Sequence, residues 1–285
     1  MKNALSRLPL IGRLFGPPPP TVAMIRMAGV VGAEGRFRRG LTLEQMAKPI
    51  DAAFACAGLK AVGLIINSPG GSPVQSRLLH DRVRALAKEK SVPVFAFAED
   101  VAASGGYMLA VAADEIYADE SSIVGSIGVI SAGFGFTGLI EKLGVERRVH
   151  TAGENKSLLD PFQPEREEDV ERLKGIQRAV HASFVDLVRT RRGERIAGAD
   201  EDLFEGAFWT GARALELGLI DGLIEPRRFF RDRFGEDVRL KDVTASRARL
   251  GRFMGGEKTI ALPGGFIDDA VGVVEARQLW SRYGL

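Results

Sequence analysis

The chain has one cysteine, Cys56, among 285 residues. An internal disulfide is therefore excluded, and a cysteine-built metal site lacks its ligands. The thiol lies in the small-residue run 52–57, which reads as a buried structural position. Histidine is also scarce, at three residues (His80, His150 and His181). Neither H-E-x-x-H nor G-x-x-x-x-G-K-[ST] occurs, which removes the commonest zinc-protease and ATPase readings. Charge of one sign is not in excess: 39 basic residues against 37 acidic leave a net charge of +2, which gives no reason to expect a nucleic-acid partner. Long apolar runs are missing as well. The run 8–11 is too short for the core of a secretory signal. Residues 121–140 carry no charge and reach the ~20 residues of a spanning helix. Their glycines, serines and β-branched residues read instead as a buried strand followed by a glycine-rich loop. The expectation is a cytoplasmic protein with no transmembrane helix and no cleavable signal peptide.

What is present is an ordinary globular composition, 45% apolar and 27% charged, in a chain long enough to bury a substantial core. Residues 1–20 form a tail and linker. On a helix, Met1, Ala4, Leu5, Leu8, Ile11 and Phe15 share a face, with Lys2, Ser6 and Arg13 opposite. That pattern suits peripheral membrane contact through residues 1–15. Pro9 argues against a regular helix, and a disordered or partner-docked tail fits equally well. Residues 17–20 are all proline, a stiff spacer.

Residues 21–225 alternate in character. Strands are expected at 21–27, 61–67, 92–98, 115–118, 123–130 and 145–151, and helices at 42–57, 72–90, 104–113 and 163–192. Such alternation implies an α/β domain with largely parallel strands and flanking helices. In the last helix, Arg189, Arg191 and Arg192 complement the dipole of their own C-terminus. Pro226 opens an extension, 226–285, containing Arg227-Arg228-Phe229-Phe230, a polar stretch and an apolar helix expected at 266–280. This extension packs on the core or on a neighbouring subunit.

Ser104 opens the run Ser104-Gly105-Gly106-Tyr107 at a predicted strand-to-helix junction. A serine hydroxyl becomes a useful nucleophile when a neighbour takes its proton. Lys156 can be that neighbour if burial removes its charge. The first-turn N–H groups of the expected helix lack intrahelical partners, so the Gly105 N–H is a natural oxyanion donor. Ser68-Pro69-Gly70-Gly71 follows another strand and opens another helix. Its glycines allow close backbone approach and present the Gly71 N–H as a second donor.

Four ordered segments carry a resemblance: Ile65-Ile66-Asn67-Ser68-Pro69-Gly70-Gly71, then Ala103 through Tyr107, then Gly125-Ser126-Ile127-Gly128-Val129-Ile130, and Leu143-Gly144-Val145 leading to Ala152, Gly153 and Lys156. In order and spacing they resemble the signal peptide peptidase A family of serine peptidases, over roughly residues 21–225. The resemblance implies a Clp protease/crotonase-like fold and a Ser104–Lys156 dyad, with Ser126 orienting the lysine and Gly71 and Gly105 as oxyanion donors. It also implies peptide substrates such as cleaved signal peptides, a homo-oligomeric ring, and no metal or nucleotide cofactor. Asn67 and Tyr107 border the expected groove. Family members often place an aromatic residue before the lysine, where this chain has Asn155. Two other readings stay open: a crotonase-like acyl-CoA enzyme, and an inactive scaffold of the membrane surface. The run Gly133-Phe134-Gly135-Phe136-Thr137-Gly138 fits a dinucleotide motif but lacks a following strand with an acidic residue.

Overall fold

The computed structural model describes residues 19–32, 40–153, 155–244 and 277–285. In chain order the elements are β1 (Thr21–Ala28), α1 (Leu43–Phe54), β2 (Leu59–Ser68), α2 (Pro73–Lys90), β3 (Val94–Ala103), α3 (Gly105–Ala110), β4 (Glu115–Ala118), β5 (Ile123–Gly125), α4 (Thr137–Lys142), α5 (Glu167–Arg192), α6 (Asp200–Leu203), β6 (Phe208–Thr210), α7 (Gly211–Glu216), β7 (Gly222–Leu223), α8 (Pro226–Phe234) and β8 (Arg239–Asp242). The expected membrane-contact residues 1–15 and most of the expected helix 266–280 lie outside the described residues.

One sheet organises the molecule. Its path runs β6-β5-β3-β2-β1-β8, with β4 paired to β3 and β7 paired to β4. Every pairing is parallel except β5 with β6. Residues 61–66 of β2 are all buried, on both faces, which is how a central parallel strand under two layers of helix reads. Ala23, Ile25 and Met27 of β1 face the α1–α2 side, with Leu64, Ile66, Leu79 and Val83 in the same core. Val22 and Met24 face the other side, where Phe229 and Phe230 of α8 join Phe95 and Phe97. Residues 226–242 thus cover the second face of the sheet and add an edge strand to it. Each buried phenylalanine contributes ~1.5–3 kcal/mol by leaving water.

Local chemistry sets the helix ends. Thr42 accepts the Gln45 N–H at the start of α1, and Ser72 accepts the Gln75 N–H at the start of α2, where Pro73 occupies the first helical position. α2 ends at Ser91 in the left-handed region (φ 52°). The Glu225 carboxylate accepts the N–H groups of Arg227 and Arg228 and starts α8.

Some expectations are corrected. No strand forms at 145–151; these residues are irregular and mostly exposed. The strand expected at 123–130 ends at Gly125, because Gly125 and Ser126 both take positive φ and turn the chain out of the sheet. Cys56 is half-buried, with its thiol near Ala52 O at 3.4 Å. His80 is buried, only 4% exposed.

Candidate active site

β3 is the axis of the site. Its first half pairs with β4 through Phe95–Phe97, and its last residues, Val101–Ala103, pair with β5. On the other side Ser68 pairs with Ala102 after a register shift in β2. Ser104 follows directly and caps α3 with φ 52° and ψ −121°. A non-glycine residue in this region costs on the order of 1–3 kcal/mol and persists only where the surroundings impose it. Here the Ser104 N–H donates to Gly125 O at 2.8 Å, and its carbonyl accepts from Tyr107 and Met108. The turn is sharp because β3 must hand over at once to a helix buried along its whole length.

The Ser68–Gly71 loop packs against that turn. A β-carbon placed on Gly70 would lie 2.7 Å from Ser104 Cβ and 2.8 Å from Gly105 N, so only glycine permits the approach. A β-carbon on Gly105 would lie 3.3 Å from Gly71 N. The loop is held from both ends. Ser68 Oγ accepts the Gly70 N–H at 3.2 Å. Val31 N–H donates to Gly70 O at 2.8 Å, and Val31 O accepts from Ser72 N–H at 2.8 Å. These two bonds flank Gly71 and leave its own N–H out of the clamp. Gly71 and Gly105 thus lie on two loops that touch beside Ser104.

Ser126 lies one residue past the carbonyl that binds Ser104. It is buried, has φ 54°, and donates its N–H to Ala207 O at 2.7 Å. His181 Nε2 lies 3.3 Å from Ile127 O on the same segment. Asn67 donates to Asp100 at 2.6 Å and accepts from the Val101 N–H, which pins the turn where β2 and β3 separate. Tyr107 is fully buried; its hydroxyl donates to Leu219 O at 2.7 Å, and burial raises its pKa well above the usual phenol value. It anchors α3 rather than bordering a groove.

Lys156 is placed differently. It is exposed, in the irregular segment that follows Gly128, and its backbone N–H donates to Gly153 O at 3.2 Å. That segment folds on itself through Phe136 against Phe162, with Arg147 stacked on Phe162 and bonded to Asp160. It also leaves Ile130, Phe134 and Leu143 about two-thirds exposed, at 65%, 71% and 66%. The single chain thus brings Gly70, Gly71 and Gly105 together beside Ser104, with Ser126 one residue from the carbonyl that binds Ser104, and leaves Lys156 exposed.

Gly70, as well as Gly71, is required by the contact with Ser104, as the Gly-Gly pair signals. Val31 acts through backbone atoms and has no signal in the sequence. Arg191 and Arg192 do not serve the end of their own helix. Arg191 bonds Val111 O and Ala113 O, and buried Arg192 bonds Gly218 O and Asp221.

Comparison with known proteins agrees with this architecture. Residues 86–228 match the profile of Peptidase family S49. A protein named Na(+)/H(+) antiporter NhaA from Brucella abortus (strain 2308) is 49% identical over 287 residues, covering 97% of this chain and 38% of that protein. The chloroplastic serine protease SPPA of Arabidopsis thaliana is 34% identical over 210 residues, covering 71% of this chain and 30% of that protein. The chain thus spans well under half the length of these two relatives. Among solved structures, a membrane-bound stomatin-specific protease, a lysine-to-alanine mutant in complex with a substrate peptide, matches with a TM-score of 0.51 at 13% identity, over 90% of this chain and 99% of that one. That likeness is one of fold.

Proposed function

The chain belongs to Peptidase family S49, and from that premise we propose that it is a serine endopeptidase in which Ser104 attacks a peptide carbonyl and Lys156 accepts the serine proton. The Ser104 Oγ–carbon bond forms as the carbonyl becomes an oxyanion held by the N–H groups of Gly71 and Gly105. The proton then passes from Lys156 to the leaving amine, and water hydrolyses the acyl-enzyme. The observation that carries the reading is the Ser104 turn, with its positive φ at the mouth of α3 and Gly70 packed against it.

Lys156 must leave water to act as a base. Since it is exposed in the single chain, its desolvation falls to the assembly, a ring of copies with enclosed sites. Exposed Ile130, Phe134 and Leu143, on the same segment, are the surface such packing would cover. The substrates are short extended stretches of membrane-derived peptides, cleaved signal peptides among them, and residues 1–15 bring the protein to the membrane surface. The antiporter name belongs to a protein of which this chain matches 38%, and among the described residues no helix is long and apolar enough to cross a membrane. The peptidase reading rests on the protease relatives.

A fluorophosphonate probe tests it, because only an activated serine reacts. Stoichiometric labelling of the wild type at Ser104, absent in Ser104→Ala, supports the reading. An unlabelled wild type with intact fold rejects it in favour of an acyl-CoA enzyme or a silent scaffold.

A further inference from the structure

α3 is six residues long, about 9 Å, and buried throughout. A helix leaves its last carbonyls without intrahelical partners. Here the N–H groups of Val111, Ala112 and Ala113 meet the carbonyls of Tyr107, Leu109 and Ala110. The four consecutive carbonyls that follow, from the cap residue Val111 to Asp114, are met by three arginines from elsewhere in the chain. Arg191 Nε donates to Val111 O at 2.8 Å and its Nη2 to Ala113 O at 2.7 Å. Arg84 of α2 donates to Ala112 O at 3.1 Å, and Arg195, just beyond α5, donates to Asp114 O at 3.1 Å. The guanidinium groups crowd one another: burial, and then the nearby Arg84, lower the pKa of Arg191 from its usual value.

Asp114 supplies the counter-charge and a second tie. Its carboxylate accepts from Arg84 at 2.7 Å and lies 3.4 Å from Arg191. Its other oxygen accepts the Val94 N–H at 2.9 Å, while the Asp114 N–H donates to Val94 O at 2.7 Å. Val94 is the first residue of β3. The strand leading into Ser104 and the helix leading away from it are therefore fastened together at their far ends by one ionic cluster.

We propose that Arg84, Arg191 and Arg195, closed on Asp114, are positioning residues for the reaction: a clamp at the base of the β3–α3 unit that sets where Ser104 and the Gly105 N–H stand at its tip. The proposal rests on the reading of Ser104 as nucleophile. Because α3 is short and rigid, a shift released at Val111–Asp114 reaches Ser104 undamped, and a displacement of about 1 Å at a reacting group costs on the order of 10²-fold in rate. Substrate binding along the groove does not involve the clamp, so its loss falls on kcat.

The test compares Arg191→Gln, Arg84→Gln and Arg191→Lys with the wild type in three readouts: amide hydrogen exchange, the rate constant for fluorophosphonate labelling of Ser104, and kcat and KM on a fluorogenic peptide. The expected result for Arg191→Gln is faster exchange at Val111, Ala112 and Ala113, unchanged exchange in β2, at least a ~10-fold loss in labelling rate and kcat, and KM within ~2-fold. Arg191→Lys should resemble Arg191→Gln, because one ammonium lacks the fork that spans two carbonyls. Arg84→Gln should show a smaller loss of the same kind, and it carries the test with Arg191→Lys if Arg191→Gln fails to fold. Faster exchange with unchanged labelling, or a change in KM alone, overturns the clamp while wild-type labelling leaves the nucleophile standing. An unlabelled wild type overturns both, and is told apart by that control.

Discussion

Replacing Gly71 by alanine puts a methyl group where the structure has none to spare. The residue has φ +140°, and a β-carbon built there falls well inside 3.0 Å of Val31 O, with Val31 C and N both at 3.0 Å. Since that oxygen is a backbone atom, relief requires the loop to move. The motion breaks or stretches the two bonds that flank Gly71, Val31 N–H to Gly70 O and Ser72 N–H to Val31 O. Each is worth ~0.5–1.5 kcal/mol. The disfavoured dihedral adds ~1–3 kcal/mol, so the expected destabilisation is about 2–6 kcal/mol. The Gly71 N–H turns away from the oxyanion position, and removal of one such donor lowers kcat by about 10²–10³. Gly29→Ala is the control, because Gly29 has φ +109° with nothing within 4 Å, and so reports strain alone. Peptide turnover and thermal unfolding of both variants check the reasoning. A folded Gly71→Ala enzyme with kcat within about threefold of wild type would refute the assignment of this N–H.

Ser104→Ala should abolish turnover and keep the fold, since it removes one oxygen at a half-buried turn; residual activity in purified protein would move the nucleophile elsewhere. Lys156→Arg should be as inactive as Lys156→Ala, because a guanidinium does not give up its proton at working pH, and substantial activity in Lys156→Arg would exclude this base. His80 is buried, and desolvation, though opposed by Asp81, lowers its pKa below 6.5, with Arg191 and Arg77 adding in the same direction. As a neutral group in the fold it contributes stability that is complete above pH 6.5 and is lost as pH falls below that value, at up to ~1.4 kcal/mol per pH unit. His80→Gln should flatten that acid limb in denaturant titrations, and identical limbs would reject the assignment. Deleting residues 1–16 should leave turnover of a soluble peptide unchanged and weaken sedimentation with anionic vesicles; equal binding by both proteins would remove the membrane role.

The parts of the fold that repeat locally are the parts the residues announce. Thr42, Ser72 and Pro73 mark helix starts by their own side-chain chemistry, and the apolar run in β2 marks a strand covered on both faces. The Ser104 turn is visible as a hydroxyl before two glycines, and Gly70-Gly71 as a loop that needs close approach. What stays hidden depends on partners far along the chain. Arg191 looks like a helix end complementing its own dipole until Val111 and Ala113 are seen beside it, some 80 residues earlier. Phe229 and Phe230 look like an isolated apolar pair between charges until Phe95 and Phe97 are found beneath them. The segment 145–151 has strand-forming residues but no neighbouring edge, and without a ladder its propensity comes to nothing.

Among the described residues, the pairing of β8 with β1 joins the first strand to the last. At ~5–20 residues per second, the roughly 210 residues between them take about 10–40 s to leave the ribosome. Throughout that interval the outer edge of β1 and the face that α8 will cover are open, with Val22, Met24, Phe95 and Phe97 uncovered. The nascent chain is therefore most vulnerable to misassociation late in synthesis, and substitutions in the short strand Arg239–Asp242 should lower the yield of folded protein out of proportion to their effect on the stability of the finished molecule.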